Sequence, residues 1–130
     1  MVKDQISNLI IALKNASMTG KETASVPATK KVVSILEVLK KKNYVENFET
    51  KGDGPKKVVN VSIKYDNGNP AIHEVRRVSK FSQRIYKGFK DIKPVKSGYG
   101  MLVISTPEGI LTDKESVDKK VGGEVLFQIW

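Results

Sequence analysis

The spacing of apolar residues changes after Asn43, and this change constrains the fold more than any other feature of the chain. Before it, apolar residues recur at i, i+3, i+4 and i+7, which predicts amphipathic helices over residues 4–17 and 28–42. After it the period is two, which predicts strands over 44–48 and 59–65 that pair as a hairpin. The residues that carry these patterns are Ile6, Leu9, Ile10, Leu13, Val32, Ile35, Leu36, Leu39, Val59, Val61, Ile63 and Tyr65.

The rest of the chain reads as short elements separated by turn residues. "TASVP" suggests a strand before the second helix, and Asp4 is a candidate cap for the first. Apolar runs predict strands at 101–104 and 125–130, while Gly122-Gly123 reads as a break. Thr112 and Glu115 have the spacing of a capping box that opens a short helix.

"DNGNP" is the strongest cluster of turn residues and predicts a boundary between two small lobes, residues 1–66 and 67–130. The predicted class is α+β. The N-terminal lobe has the order α-β-α-β-β, and the C-terminal lobe is mainly β with one short helix.

Composition excludes several kinds of chemistry. The 130 residues contain no cysteine and one histidine, His73, so disulfides and thiolate metal sites are excluded and a zinc site is not expected. There is no phosphate-binding loop motif and no triad-like signature around His73, so we expect neither catalysis nor a metal or cofactor. The apolar run Leu9 to Leu13 is too short for a signal peptide or a membrane span, which predicts a cytoplasmic protein and no membrane partner.

Charge favours a polyanionic partner. The formal charge is +9, and residues 73–96 hold eight basic and two acidic side chains. Phe81, Tyr86 and Phe89 lie among these cations, a combination that suits RNA, although the aromatics equally suit a core and the cations a solvated face. An anionic membrane surface is a less favoured alternative. Lys40 to Lys42 are explained by the dipole at a helix end.

Three segments resemble one known family. "VPATKK", "VSK" followed by "RIY", and "GYGMLVISTPEGILTDKES" followed by "GGEVLFQIW" are similar to the bacterial type of ribosomal small-subunit protein eight, in the same order along nearly the whole chain. The resemblance implies a two-lobed structural protein of the ribosome that binds the central domain of small-subunit ribosomal RNA (rRNA) and helps to assemble it. It also implies contacts with neighbouring small-subunit proteins, and it allows, as a runner-up function, regulation of translation through the protein's own messenger RNA. The absence of metal ligands and of cysteine predicts a monomer in isolation.

The same resemblance implies which residues contact RNA. It assigns them to a hydroxyl-bearing loop and a Gly-Gly-Glu segment, namely Ser105, Thr106, Gly122, Gly123 and Glu124, with Tyr86 and Lys30 as weaker candidates. Arg84 and Lys87 are candidates from the basic stretch 73–96, and Pro107 belongs to the loop. Pro107 stands where the family has a third hydroxyl, Gln5 replaces a usual proline, and Phe81-Ser82 replace a Pro-Gly turn. An enzyme or enzyme subunit acting on a phosphorylated substrate is the alternative from a different class.

Overall fold

The structure, a computed structural model, describes residues 4–52, 54–80, 82–93 and 100–130, and the predicted α+β class is confirmed. The chain forms two compact units, Met1–His73 and Glu74–Trp130. The boundary expected after residue 66 lies within a small hairpin of the first unit, because Asn67 and Gly68 adopt positive φ and connect two paired strands there.

The first unit has the predicted α-β-α-β-β order, followed by the small hairpin. Its elements are α1 (Gln5–Thr19), β1 (Thr23–Pro27), α2 (Lys30–Lys41), β2 (Val45–Lys51), β3 (Val58–Ile63), β4 (Tyr65–Asp66) and β5 (Asn69–Pro70). Strands β2 and β3 pair antiparallel, which confirms the predicted hairpin, and β1 adds to the other edge of β3. Helix α1 contacts β1 and β3, and α2 contacts β2.

Side-chain caps set where the two long helices begin. The Asp4 carboxylate accepts a hydrogen bond of 3.1 Å from the Ser7 N–H, and the Thr29 hydroxyl accepts one of 3.2 Å from the Val32 N–H. Each bond satisfies a backbone donor that has no partner within its helix. The apolar faces predicted for both helices are buried, as are the alternating residues of β3.

The second unit is built around its last strand. Its elements are β6 (Val75–Arg77), β7 (Tyr86–Lys87), β8 (Met101–Thr106), β9 (Gly109–Thr112), α3 (Asp113–Asp118) and β10 (Gly123–Ile129). The sheet order is β6-β10-β8-β9, and β7 also pairs with β10. The capping box at the start of α3 is confirmed, because Thr112 and Glu115 exchange hydrogen bonds between side chain and backbone.

The central strand β10 is buried along most of its length. Val125, Leu126 and Phe127 are consecutive buried residues, although side chains of a regular strand alternate between faces. The register against β8 shifts between Val125 and Phe127, and such a bulge interrupts the alternation locally. Both faces of the sheet therefore receive apolar side chains from this strand.

The predicted break at Gly122-Gly123 is wrong for Gly123, which is the first residue of β10. A Cβ on Gly123 would overlap the Ser105 carbonyl oxygen and lie 2.9 Å from its carbon, and a Cβ on Gly122 would lie 2.7 Å from the Gly88 Cα. The sequence marks these glycines as turn residues, whereas the fold uses them to bring backbones close together.

We expect Gly123→Ala to destabilise the second unit by about 1–3 kcal/mol, because backbone cannot move aside as a flexible side chain can. Gly88→Ala is the matched control, since a Cβ there lies 4.0 Å from its nearest neighbour, an Asp91 oxygen, and the residue already has a φ of −73°. Urea unfolding of both variants measures the difference. Equal midpoints for the two variants would contradict the close approach.

Candidate nucleic-acid interface

The segment that follows the predicted strand 101–104, Ser105 to Gly109, forms a tight hairpin turn. Strand β8 continues through Ser105 and Thr106, two residues beyond the predicted end, and Thr106 pairs with Gly109 across the two-residue turn Pro107-Glu108. The Thr106 hydroxyl donates to the Gly109 carbonyl at 2.8 Å and accepts from the Glu108 N–H at 3.1 Å. Gly109 has a φ of +112°, which disfavours any residue with a Cβ. The turn is therefore shaped by its own hydroxyl side chain.

Strand pairing places the predicted residues in one row across four strands. Ser105 pairs with Ile110 of β9 on one side and with Glu124 of β10 on the other, and Glu124 pairs in turn with Tyr86 of β7. Directly paired residues project from the same face of a sheet. Ser105, Glu124 and Tyr86 thus present their side chains together although they are distant in sequence.

Ser105 and Thr106 differ in what their hydroxyls can do. The Thr106 hydroxyl is already used by the turn, whereas nothing within the described ranges forms a hydrogen bond with the Ser105 hydroxyl. Ser105 is half-buried, so its oxygen is open to an approaching ligand without projecting far from the sheet. A hydroxyl can both donate and accept, which suits a ligand that carries both kinds of group.

An ion pair neutralises the carboxylate of this row. An Arg84 guanidinium nitrogen lies 3.3 Å from a Glu124 carboxylate oxygen, and the Arg84 side chain is 45% exposed whereas that of Glu124 is 11% exposed. The arginine therefore covers much of the negative charge and still presents N–H groups to solvent. The contact joins residues 40 positions apart, so local sequence patterns gave no sign of it.

Tyr86 is the most accessible aromatic side chain of the described residues, with 67% of its surface exposed. Its neighbour Lys87 is exposed as well and pairs with Gly123. Phe89 is half-buried, which agrees with the interpretation of these aromatics as core residues. Phe81 lies outside the described residues. Tyr86 is thus the ring that can stack on a base.

The basic stretch 73–96 presents its charges to solvent. Its exposed cations within the described ranges are Arg76, Lys80, Arg84, Lys87, Lys90 and Lys93, and Lys96 lies outside those ranges. Arg76 lies over the Trp130 ring at 5.5 Å from its centroid, so this cation also contributes to packing. The exposed cations give the surface of the second unit a positive potential.

We name the candidate interface by its residues: Arg84, Tyr86, Lys87, Ser105, Thr106, Pro107, Gly122, Gly123 and Glu124. Of the residues implied by the resemblance, Lys30 belongs to the first unit, whereas the others belong to the second. Lys30 is the first, exposed residue of α2 in the first unit. Lys40 to Lys42 are exposed at the other end of α2, where the dipole explains them.

Sequence reasoning missed the backbone that supports the interface. Gly88 is the close neighbour of Gly122, and Ser79 binds the segment that carries Arg84 and Tyr86. Gly88 stands in no quoted motif, and the "VSK" segment that contains Ser79 gives no local sign of the contact its hydroxyl makes, because close approach and loop closure are products of the tertiary fold. Where the structure describes the chain, no helix has the length and apolarity to cross a membrane, and no group of His, Cys, Asp or Glu is arranged to hold a metal ion.

The chain is similar to known proteins along its full length. The family described as Ribosomal protein S8 matches residues 4–130. The small ribosomal subunit protein uS8 of Nautilia profundicola is 45% identical over all of both chains, and that of Paracidovorax citrulli is 40% identical over 98% of each. The uS8 protein of Nitratiruptor sp. is 40% identical, again over all of both chains.

These matches confirm the resemblance drawn from the residues themselves. A protein of this kind is a structural constituent of the ribosome, a cytoplasmic ribonucleoprotein, and the alternative of an enzyme acting on a phosphorylated substrate has no support. With the family matched over residues 4–130 and relatives 40–45% identical end to end, the chain belongs to the ribosomal protein S8 family of the small ribosomal subunit.

Proposed function

We propose that the chain binds the central domain of small-subunit rRNA directly through the candidate interface and helps that domain to assemble. The observation that carries this proposal is the row of paired residues Ser105, Glu124 and Tyr86, which collects a hydroxyl, a carboxylate and an exposed ring on one sheet face. Irregular RNA presents unpaired bases, riboses and phosphates at close range, and these groups match that set of side chains.

Short side chains let the RNA come close to the protein backbone. Ser105 and Thr106 have short side chains, and Pro107 and Gly109 beside them are exposed and carry no long side chain. Long lysine side chains in the same positions would hold the two surfaces apart. Close approach permits hydrogen bonds to base edges and riboses, and such contacts distinguish one RNA from another.

Arg84 and Glu124 act together in this proposal. The Glu124 carboxylate accepts hydrogen bonds from the amino groups of unpaired bases. The Arg84 guanidinium beside it offsets the negative charge, so the pair does not repel the phosphates of the RNA. The pair is partly exposed and contributes little to stability. The pair instead provides a hydrogen-bond acceptor, the Glu124 carboxylate, on a surface where lysine and arginine side chains supply mainly donors.

The surrounding cations supply attraction that is independent of sequence. They neutralise phosphates and release counterions, whereas the row discriminates between RNAs. We further propose that the protein is a monomer in isolation, contacts neighbouring small-subunit proteins, and binds its own messenger RNA where the messenger presents a similar shape.

Binding to a central-domain RNA fragment should weaken linearly on a log–log plot against salt, with a slope that corresponds to roughly three to six neutralised phosphates. Filter binding over a series of salt concentrations gives the slope, and a scrambled RNA of the same length is the control. The scrambled RNA should show a similar slope and weaker binding. Equal affinity for the two RNAs would contradict site-specific binding.

The two hydroxyls should have separable effects. Ser105→Ala should cost about 1–3 kcal/mol of specific binding and leave stability unchanged, because its hydroxyl has no partner within the described residues. Thr106→Val should reduce both specific binding and stability, because it removes two hydrogen bonds of the turn, and Thr106→Ser should restore both. Filter binding and thermal unfolding measure the two effects. If Ser105→Ala bound the cognate fragment as tightly as wild type, the Ser105 hydroxyl would not contact RNA and this segment would serve only as a turn.

The Tyr86 ring should contribute by stacking. Tyr86→Ala should weaken binding of the cognate fragment by about 1–3 kcal/mol, whereas Tyr86→Phe, which keeps the ring, should remain close to wild type. Fluorescence anisotropy with a labelled fragment measures both affinities. If the phenylalanine variant lost as much as the alanine variant, the hydroxyl rather than the ring would be the contact.

A further inference from the structure

Ser79 is a fully buried polar residue, with no exposed surface, just before the loop that leads to Arg84. Its hydroxyl accepts a hydrogen bond of 2.8 Å from the Ile85 N–H and lies 3.3 Å from the Ile85 carbonyl oxygen, to which it donates. Both bonds go to one residue six positions away. A buried hydroxyl that binds both polar groups of a single residue fixes the position and the orientation of that backbone.

The backbone at each end of this loop, at Val78 and at Ile85, is hydrogen-bonded to the central strand β10. The Val78 N–H donates to the Leu126 carbonyl at 3.0 Å, and the Val125 N–H donates to the Ile85 carbonyl at 2.9 Å. The loop is therefore closed by three points: two on β10 and one through the Ser79 hydroxyl. Within it, Lys80 and Gln83 exchange backbone hydrogen bonds of 2.8 and 3.1 Å.

Ile85 stands between the two interface residues that this backbone carries. Arg84 precedes it and binds the Glu124 carboxylate, and Tyr86 follows it and pairs with Glu124 through the backbone. The Arg84 carbonyl and the Ile85 N–H belong to one planar peptide group. A hydrogen bond that holds the Ile85 N–H therefore also restrains the backbone from which the Arg84 side chain projects. Any rotation of the Ile85 backbone would move the guanidinium away from Glu124.

We propose that Ser79 is a positioning residue of the candidate interface: its buried hydroxyl holds the Ile85 backbone and so keeps Arg84 on Glu124 beside Ser105. This inference rests on the proposed function, because it assigns Ser79 an effect on RNA discrimination. Ser79 does not touch RNA, and it acts through Arg84.

The test compares Ser79→Ala with wild type on a central-domain RNA fragment and a scrambled control. We expect the affinity for the cognate fragment to fall about tenfold, the loss that follows from about 1.4 kcal/mol, with the affinity for scrambled RNA and the salt slope unchanged. Thr112→Val is the matched control, since it removes a buried hydroxyl of the same unit that accepts a hydrogen bond from the Glu115 N–H at the start of α3. It should destabilise the unit and leave RNA selectivity at the wild-type value.

A double variant separates positioning from simple loss of structure. If Ser79 acts through Arg84, Ser79→Ala should reduce cognate binding of the Arg84→Ala protein by less than about twofold, because the group it positions is already absent. If the fold loss of cognate affinity in the double variant equalled the product of the losses in the two single variants, the proposal would be overturned. Ser79→Cys, which keeps a weak hydrogen-bonding sulfur, provides a second measurement if the alanine variant does not fold, with an expected loss of about threefold.

The outcomes also distinguish this proposal from the one on which it rests. If wild-type protein binds the cognate and scrambled fragments equally, the proposed function fails. If wild type discriminates and folded Ser79→Ala discriminates equally well, the proposed function stands and the role of Ser79 is overturned.

Discussion

The close backbone contact of β10 with the segments on either side of it is the constraint on which the second unit depends. Gly122 lies against Gly88, and Gly123 lies against Ser105, at separations that leave no room for a Cβ. This contact sets the register of β10, and the register places Glu124 opposite Ser105 and Tyr86. Core burial of Val125 to Phe127 then stabilises the arrangement. The same two glycines therefore position both the core and the surface.

The elements that were predictable from sequence are those whose signals are local. Helices α1 and α2 follow from apolar spacing, and the start of α1 follows from Asp4, which binds an N–H group three residues ahead. The α3 capping box is likewise a contact between residues three positions apart. Each signal lies within a few residues of the structure that it specifies, so reading the chain in order was sufficient.

Other features failed or were invisible because their causes are distant in sequence. Ser105 and Thr106 looked like the end of a strand, yet they continue β8 because strands on both sides supply partners. Gly123 looked like a break because its use, close approach to β8, needs a strand about twenty residues away. The ion pair between Arg84 and Glu124 has no local signature. Family resemblance assigned the residues, and the structure supplied the geometry that relates them.

The place of β10 in the chain has a consequence for synthesis. This strand is synthesised after β6, β7 and β8, and all three of them pair with it. The first unit consists of earlier residues and has a hydrophobic core of its own, so its folding does not require β10. A nascent chain that stops before residue 123 therefore carries the basic stretch but lacks the strand that joins Ser105 to Tyr86. The proposed interface can form only after β10 has been made, so shorter chains offer the positive charge without the paired row.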